Sequence, residues 1–325
     1  MLELNWLKEK LANLSKEGIF IGTSSWKYPG WCGLLYQFDR YVTRGKFSTA
    51  RFERTCLAEY AQVFKTVCVD AAYYKFPEER YLAGMISQVP SDFQFSFKVT
   101  DEITVKRFPN LPRFGPRAGG TNPNYLNADL FAAAFAQPFG QFRENVGLFI
   151  FEFSRFQKTD YQHGREFANE LDQFLERLPK GWRYGVELRN PGFLHPDYFA
   201  LLRRHGVAHI FNSWSRMMPV DEQLEMPESL TAPAHVGARL LLRPGRTYAE
   251  AVKLFSPYND LKEPNLPARS ATLSILQSSL IHHPRRQAYV YINNRLEGNA
   301  IKTIMAILDA MNAVGGETHV QPQAK

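Results

Sequence analysis

A closed (β/α)8 barrel, an α/β architecture of TIM type, is the fold class predicted by this 325-residue sequence. Three observations carry that prediction. Eight short runs rich in β-branched and aromatic residues alternate with longer amphipathic stretches, the rhythm of βα units around a parallel sheet. In the best-defined runs one parity is apolar while the other is small or polar, as when one face packs on helices and the other lines a barrel interior. The first run ends in Gly22-Thr23-Ser24-Ser25-Trp26-Lys27-Tyr28-Pro29-Gly30, which lacks the glycine-rich phosphate turn of most doubly wound sheets.

The strands are expected at Ile19 to Ser24, Thr66 to Ala71, Phe93 to Val99, Val146 to Phe153, Arg183 to Leu188, Val207 to Phe211, Ala238 to Leu242 and Ala288 to Asn293. Helical periodicity falls at Phe52 to Phe64, Glu78 to Gln88, Ala128 to Phe142, Arg165 to Leu178, Tyr198 to His205, Ala268 to His282 and Ala300 to Met311. Residues 212–236, rich in Pro, Met and acidic side chains, read mostly as a long βα loop, and so do residues 100–127. The expectation is one barrel domain over 1–325 with an N-terminal extension over 1–17.

Composition narrows the function. Hydrophobic residues make up 45% of the chain, and no apolar run reaches the roughly 18 to 20 residues that a membrane span needs, so no membrane partner is expected. Cys32, Cys56 and Cys68 are odd in number and lack metal-ligand spacing, which fits a reducing, cytoplasmic setting. The net charge of +7 is spread along the chain; it permits a nucleic-acid partner without indicating one. The densest basic stretch, Lys106 to Arg117, interleaves aromatics and prolines and reads either as a rigid surface loop or as a base-stacking platform. Oligomeric state is left open.

Side-chain alternation then sorts the polar residues. In the third strand Phe93, Phe95, Phe97 and Val99 face the helices, which turns Gln94, Ser96 and Lys98 inward with Lys98 at the top. In the fifth, Gly185 shares parity with Glu187 and Arg189, and a residue without a side chain suits a crowded interior. By the same logic Glu152 crowns the fourth strand, Arg243 the seventh and Asn293 the eighth, while Asp70 follows Cys68 on the second. Ser24 and Asn212 complete a polar rim at the C-terminal ends, where barrel enzymes carry their reactive groups.

That rim suggests chemistry. Glu152 and Glu187 on adjacent strands, about 5 Å apart at the backbone, resemble the carboxylate pair of glycoside hydrolysis, and Lys98 near a carboxylate fits a proton donor or Schiff-base nucleophile. Asp70, Glu152 and Glu187 offer oxygen ligands for a hard ion such as Mg2+ or Mn2+; no other cofactor is indicated. Lys98, Arg189 and Arg243 form a cationic floor for a phosphate or carboxylate, and Trp26, Trp31, Tyr73 and Tyr74 are candidates to stack on a ring. His209, flanked by Ala208 and Ile210 inside a strand, reads as a packed histidine.

Several of these residues carry a resemblance. Gly22-Thr23-Ser24-Ser25-Trp26 with Tyr28-Pro29-Gly30-Trp31 and Gly33, Tyr73-Tyr74 with Pro77, and Pro90 through Phe93-Gln94-Phe95 to Lys98 are similar to the domain-of-unknown-function 72 (YecE-like) family. So are Val186-Glu187-Leu188-Arg189-Asn190 and Tyr291-Ile292-Asn293-Asn294 with Gly298 and Ala300. The resemblance implies a barrel, places Asn294 beside Asn293 among the binding candidates, and implies no established reaction. The chain departs from the family pattern at Asp70, Ala72 and Tyr73-Tyr74, around Thr104-Val105, at Glu152 where a Gln is usual, and at Asn212 where an Asp is usual. The combined reading is an enzyme, a hydrolase, lyase or isomerase, acting on a small polar, anionic or sugar-like substrate at the C-terminal rim. The alternatives are a metal-dependent hydrolase or isomerase and a non-catalytic nucleic-acid or protein-binding module.

Overall fold

Eight parallel strands close on themselves in the computed structural model, which describes residues 2–317. Residue 1 and residues 318–325 of the expected domain lie outside that range. The strands are β1 (Ile19–Thr23), β2 (Thr66–Val69), β3 (Gln94–Lys98), β4 (Val146–Phe153), β5 (Tyr184–Leu188), β6 (Ala208–Ser213), β7 (His235–Leu240) and β8 (Gln287–Ile292). Each pairs with its successor, and β8 returns to β1 with Gly22 opposite Tyr291.

Parity behaves as the pattern requires. Phe95 and Phe97 of β3 and Phe149, Phe151 and Phe153 of β4 join the large core between sheet and helices. Phe20, Cys68, Leu148, Ile150, Ala208, Ile210, Tyr289 and Tyr291 form a separate cluster inside the barrel. Interior space is tight: a Cβ on Gly185 or on Gly237 would come within 2.4 Å of the Ile210 Cδ1 atom. Within this layer the Tyr291 hydroxyl donates to Ser96 at 2.5 Å and lies 3.0 Å from Thr66 Oγ1.

Around the sheet run α1 (Leu2–Lys16), α2 (Thr49–Tyr60), α3 (Glu79–Ile86), α4 (Gly164–Glu176), α5 (Pro196–His205), α6 (Tyr248–Phe255), α7 (Leu266–Ile281) and α8 (Ala300–Glu317). The N-terminal extension is thus a helix, whose Leu7, Leu11 and Leu14 recur at helical spacing and are buried. Between β3 and β4, residues 128–145 form a helical segment of mixed type that buries Phe131, Phe135 and Phe139. Segment 212–236 holds one short helix, Val220–Glu225, in otherwise irregular chain. α6 was not expected from periodicity; a capping box fixes its start, with Thr247 accepting from the Glu250 N–H and Glu250 accepting in return.

The seventh strand corrects the sequence reading. It ends at Leu240 instead of running through Leu242, because Leu241 and Leu242 leave the ladder and both donate their N–H groups to the Ser213 carbonyl. Their side chains bury against Ala251 and Phe255 of α6. The apolar run Leu240-Leu241-Leu242 therefore serves two packing layers, and the strand's polar crown is Arg239.

Candidate ligand site at the barrel mouth

Inward parity brings six charged side chains together at the C-terminal ends of β2 to β5 and β7. Lys98 ends β3, Glu152 nears the end of β4 opposite Glu187 of β5, Arg189 follows β5, and Arg239 lies on β7 opposite Asn212 of β6. Asp70 stands immediately beyond β2, where the chain turns into a 3-10 segment, Ala71–Tyr73.

Arg239 is the hub. Its guanidinium donates to Glu187 at 2.6 Å, to Glu152 at 3.3 Å and to Asp70 at 2.8 Å. Arg189 donates to Glu187 through Nε at 3.0 Å and through Nη2 at 2.8 Å, and the same Nη2 reaches Glu152 at 2.8 Å. Lys98 Nζ lies 2.5 Å from Glu152 and 3.5 Å from the centre of the Tyr73 ring. Three cations thus face three carboxylates. The four of these ions that are buried, Glu152, Glu187, Arg189 and Arg239, are tolerable there only when paired and hydrogen-bonded, and each is.

The electrostatics define what each group does. Burial pushes the Glu152 carboxyl up, but Arg189, Lys98 and Arg239 outweigh it and hold the group well below the usual carboxylate range. Burial alone would lower the Arg239 value, and Glu187, Asp70 and Glu152 instead keep it firmly protonated. Glu152 therefore stays ionised near neutral pH and is unsuited to giving up a proton. Glu187, with 0% side-chain exposure, has both oxygens engaged by arginine. Cys68 sits below the array, its thiol pushed up to about 12 by burial despite Arg239, so it is neutral.

A glycosidase pair is not the arrangement observed, because one of the two carboxylates would have to donate a proton. Neither do Asp70, Glu152 and Glu187 fit a hard divalent ion as placed: the oxygens that would face it are already bound by guanidinium and ammonium groups. Among the described residues no set of three His, Cys, Asp or Glu is arranged to hold a metal.

The rest of the expected rim divides. Asn212 belongs to it, buried beside Arg239, with its amide donating to the Leu188 and Ile210 carbonyls and its Oδ1 unpartnered. Ser24 follows β1 directly, its hydroxyl buried and unpartnered. Asn293 accepts from the Arg295 N–H and caps the short helix Asn294–Glu297, and Asn294 accepts from the Ala300 N–H while its Nδ2 is buried without a partner. Arg243 is the clear misplacement. With β7 ending early it lies in the loop beyond the strand, where it binds Glu263 and the Pro264 carbonyl instead of joining the Lys98–Glu152–Arg189–Glu187–Arg239 array.

Of the four aromatic candidates, Trp26 and Trp31 are core residues, Trp31 stacking on Tyr36. Tyr73 lies under Lys98, and Tyr74 is open, at 65% exposure. Three mouth residues were missed. Arg239 had a readable signal, since Gly237 shares its parity just as Gly185 shares that of Glu187. Trp214, 3.9 Å from the Arg189 guanidinium, and Arg113, 5.0 Å from the Tyr74 ring, come from loops without strand periodicity.

The basic loop is neutralised by carboxylates of neighbouring segments. Lys106 pairs with Glu170 at 2.9 Å, Arg107 with Asp160 at 3.6 Å, Arg113 with Asp101 at 2.9 Å and Arg117 with Glu102 at 2.5 Å. Its aromatics Phe108 and Phe114 bury in a small core with Val105. His209 is packed as expected, 3.2 Å from the Tyr198 hydroxyl and held down to about 3 by burial. Among the described residues no helix is long and apolar enough to cross a membrane.

Comparison with known proteins agrees with this architecture. Residues 20–325 match the family described as Protein of unknown function DUF72. A DUF72 family protein from Enterococcus faecalis V583 superposes with a TM-score of 0.59 at 18% identity, covering 90% of this chain and 95% of its own. Another, from Thermotoga maritima MSB8, gives 0.56 at 15% identity over 90% and 99%. These likenesses are of fold. No curated protein matches the chain.

Proposed function

The chain belongs to the DUF72 family, and from that premise we propose that it is an enzyme acting on a small polar, anionic or sugar-like molecule bound at the barrel mouth, with Lys98 and Asp70 meeting the substrate. One observation carries this reading. Glu152, Glu187 and Arg239 are closed off, whereas Asp70 keeps 41% and Lys98 12% of its side chain open. The buried part of the array fixes the open part: Glu152 orients the Lys98 ammonium, and Arg239 orients the Asp70 carboxylate. Such preorganised charge is what proton transfer and electrostatic stabilisation require. Lys98 is placed to donate a proton or a charge-assisted hydrogen bond, and Asp70 to accept one. Tyr73, Tyr74 and Trp214 supply rings with polar handles around them, suited to the face of a sugar or other flat polar molecule.

A thermal-shift screen of neutral sugars, sugar acids and sugar phosphates against wild type, Lys98→Met and Asp70→Asn tests the proposal. One class should raise the wild-type melting temperature, and both variants should lose that rise. A ligand that stabilises all three proteins equally would place binding elsewhere and defeat the proposal.

A further inference from the structure

Most cations around the mouth have a carboxylate partner, and one half-buried arginine does not. Lys98, Arg189, Arg239 and Arg113 are paired as described, and Arg243 and Arg246 share Glu263. Arg295, just beyond β8, makes no ion pair among the described residues, and its Nε is buried without a hydrogen-bond partner. Arg155 and Arg216, beyond β4 and β6, also lack one, but both are exposed, where water satisfies them.

The surroundings of Arg295 hold it in place. Its backbone N–H is tied to Asn293, and its guanidinium lies 4.6 Å from the Tyr248 ring, which is 55% exposed. Tyr28, whose hydroxyl the Arg295 charge affects, packs edge-on against Tyr258 at 5.5 Å. Burial pushes the Tyr28 hydroxyl up to about 12 while the Arg295 charge opposes it and the Asp70 charge adds to it. Arg295 follows β8 and Asp70 follows β2, so both stand at the C-terminal end of the same closed parallel barrel and flank the same mouth. A fixed guanidinium fork without a carboxylate partner is matched by the paired oxygens of a phosphate or carboxylate group.

We infer that Arg295 anchors an oxyanion group, phosphate or carboxylate, of the molecule bound at the mouth, with the rest of that molecule lying over Tyr248 and Tyr74 towards Asp70 and Lys98. This rests on the mouth reading proposed above and adds the substrate class: a small molecule bearing one anionic end. The end of the last two strands is also where barrels of this type commonly hold phosphate.

Calorimetric titration with ribose, ribonate and ribose 5-phosphate tests it on wild type, Arg295→Met, Arg295→Lys and Lys98→Met, with circular dichroism to check folding. Wild type should bind at least one of the two anions more tightly than ribose, and which one distinguishes carboxylate from phosphate. Arg295→Met should weaken that anion by about tenfold or more, equivalent to about 1.4 kcal/mol, and remove its advantage over ribose. Arg295→Lys, which keeps the charge and loses the fork, should fall between and remains informative if the Met variant misfolds. If Arg295→Met and Arg295→Lys bind like wild type while Lys98→Met does not, the anchor is overturned and the mouth reading stands. If Lys98→Met alone binds like wild type, the anion site at Arg295 stands and the mouth reading falls. Failure of wild type to prefer either anion overturns the inference.

Discussion

Arg239 Nη1 lies 2.6 Å from Glu187 and 3.3 Å from Glu152, so one buried guanidinium bridges carboxylates on two adjacent strands across the barrel from its own. That bridge makes the mouth a single electrostatic unit. Replacing Glu187 by Gln keeps the shape and leaves Arg189 and Arg239 with Glu152 as their common carboxylate. The expected outcome is a stability loss of about 3 to 5 kcal/mol in denaturant titration, the range for stranding a buried ion. A variant as stable as wild type would show that the array is not coupled as described.

Acid sensitivity follows from three buried groups. Burial holds His235 at about 4 and His209 at about 3, below the ordinary 6.5, so the unfolded chain takes up those protons first. Stability should fall as pH drops below 6.5 and approaches 4. Glu152, held below its ordinary 4.5 by Arg189, Lys98 and Arg239 against the effect of burial, contributes stability that is complete above that value and is lost at lower pH. Urea midpoints of wild type and Glu152→Gln should therefore keep a fixed gap above pH 5 (about half a unit clear of the carboxylate value) and converge below it. Parallel curves throughout would contradict the assignment.

Interior packing makes a separate prediction. Gly185→Ala places a methyl group against Ile210 Cδ1, in a layer with no free space, and should cost about 1 to 3 kcal/mol. Ile210→Val removes that atom and should recover part of the loss in the double variant. Additive losses would mean that Ile210 is not the obstacle.

The paired loop 106–117 predicts weak nucleic-acid binding in spite of its composition. Fluorescence anisotropy with a single-stranded oligonucleotide at low salt should show little affinity, and Arg117→Ala should not change it. A tight, steeply salt-dependent complex lost in Arg117→Ala would reverse this conclusion.

Strand parity made the barrel and half of the mouth legible. Lys98, Glu152, Glu187 and Arg189 could be placed because Phe95, Phe97, Phe149 and Phe151 mark the opposite face of their strands without ambiguity. Arg239 was lost because Leu241 and Leu242, which pack on α6, look like a continuation of β7. Asn293 and Asn294 occur in the right place for a rim, yet their Oδ1 atoms are held by backbone N–H groups, which the sequence does not reveal, while the Asn294 Nδ2 is buried without a partner. Trp214, Arg113 and Arg295 come from irregular chain or a one-turn helix, where no period constrains direction. The pairing of the loop's charges was not legible for a related reason: Glu170 and Asp160, which neutralise Lys106 and Arg107, are distant in sequence.

The most direct test of the central claim is a crystal structure of the protein soaked with ribose 5-phosphate and ribonate at high concentration. The account predicts density at the C-terminal mouth, with an oxyanion on Arg295 and the sugar within hydrogen-bonding reach of Asp70 or Lys98. Density confined to other surfaces, such as the outer cavity between α4 and α5 lined by His163, Arg165 and His195, with the mouth left to water, would contradict it.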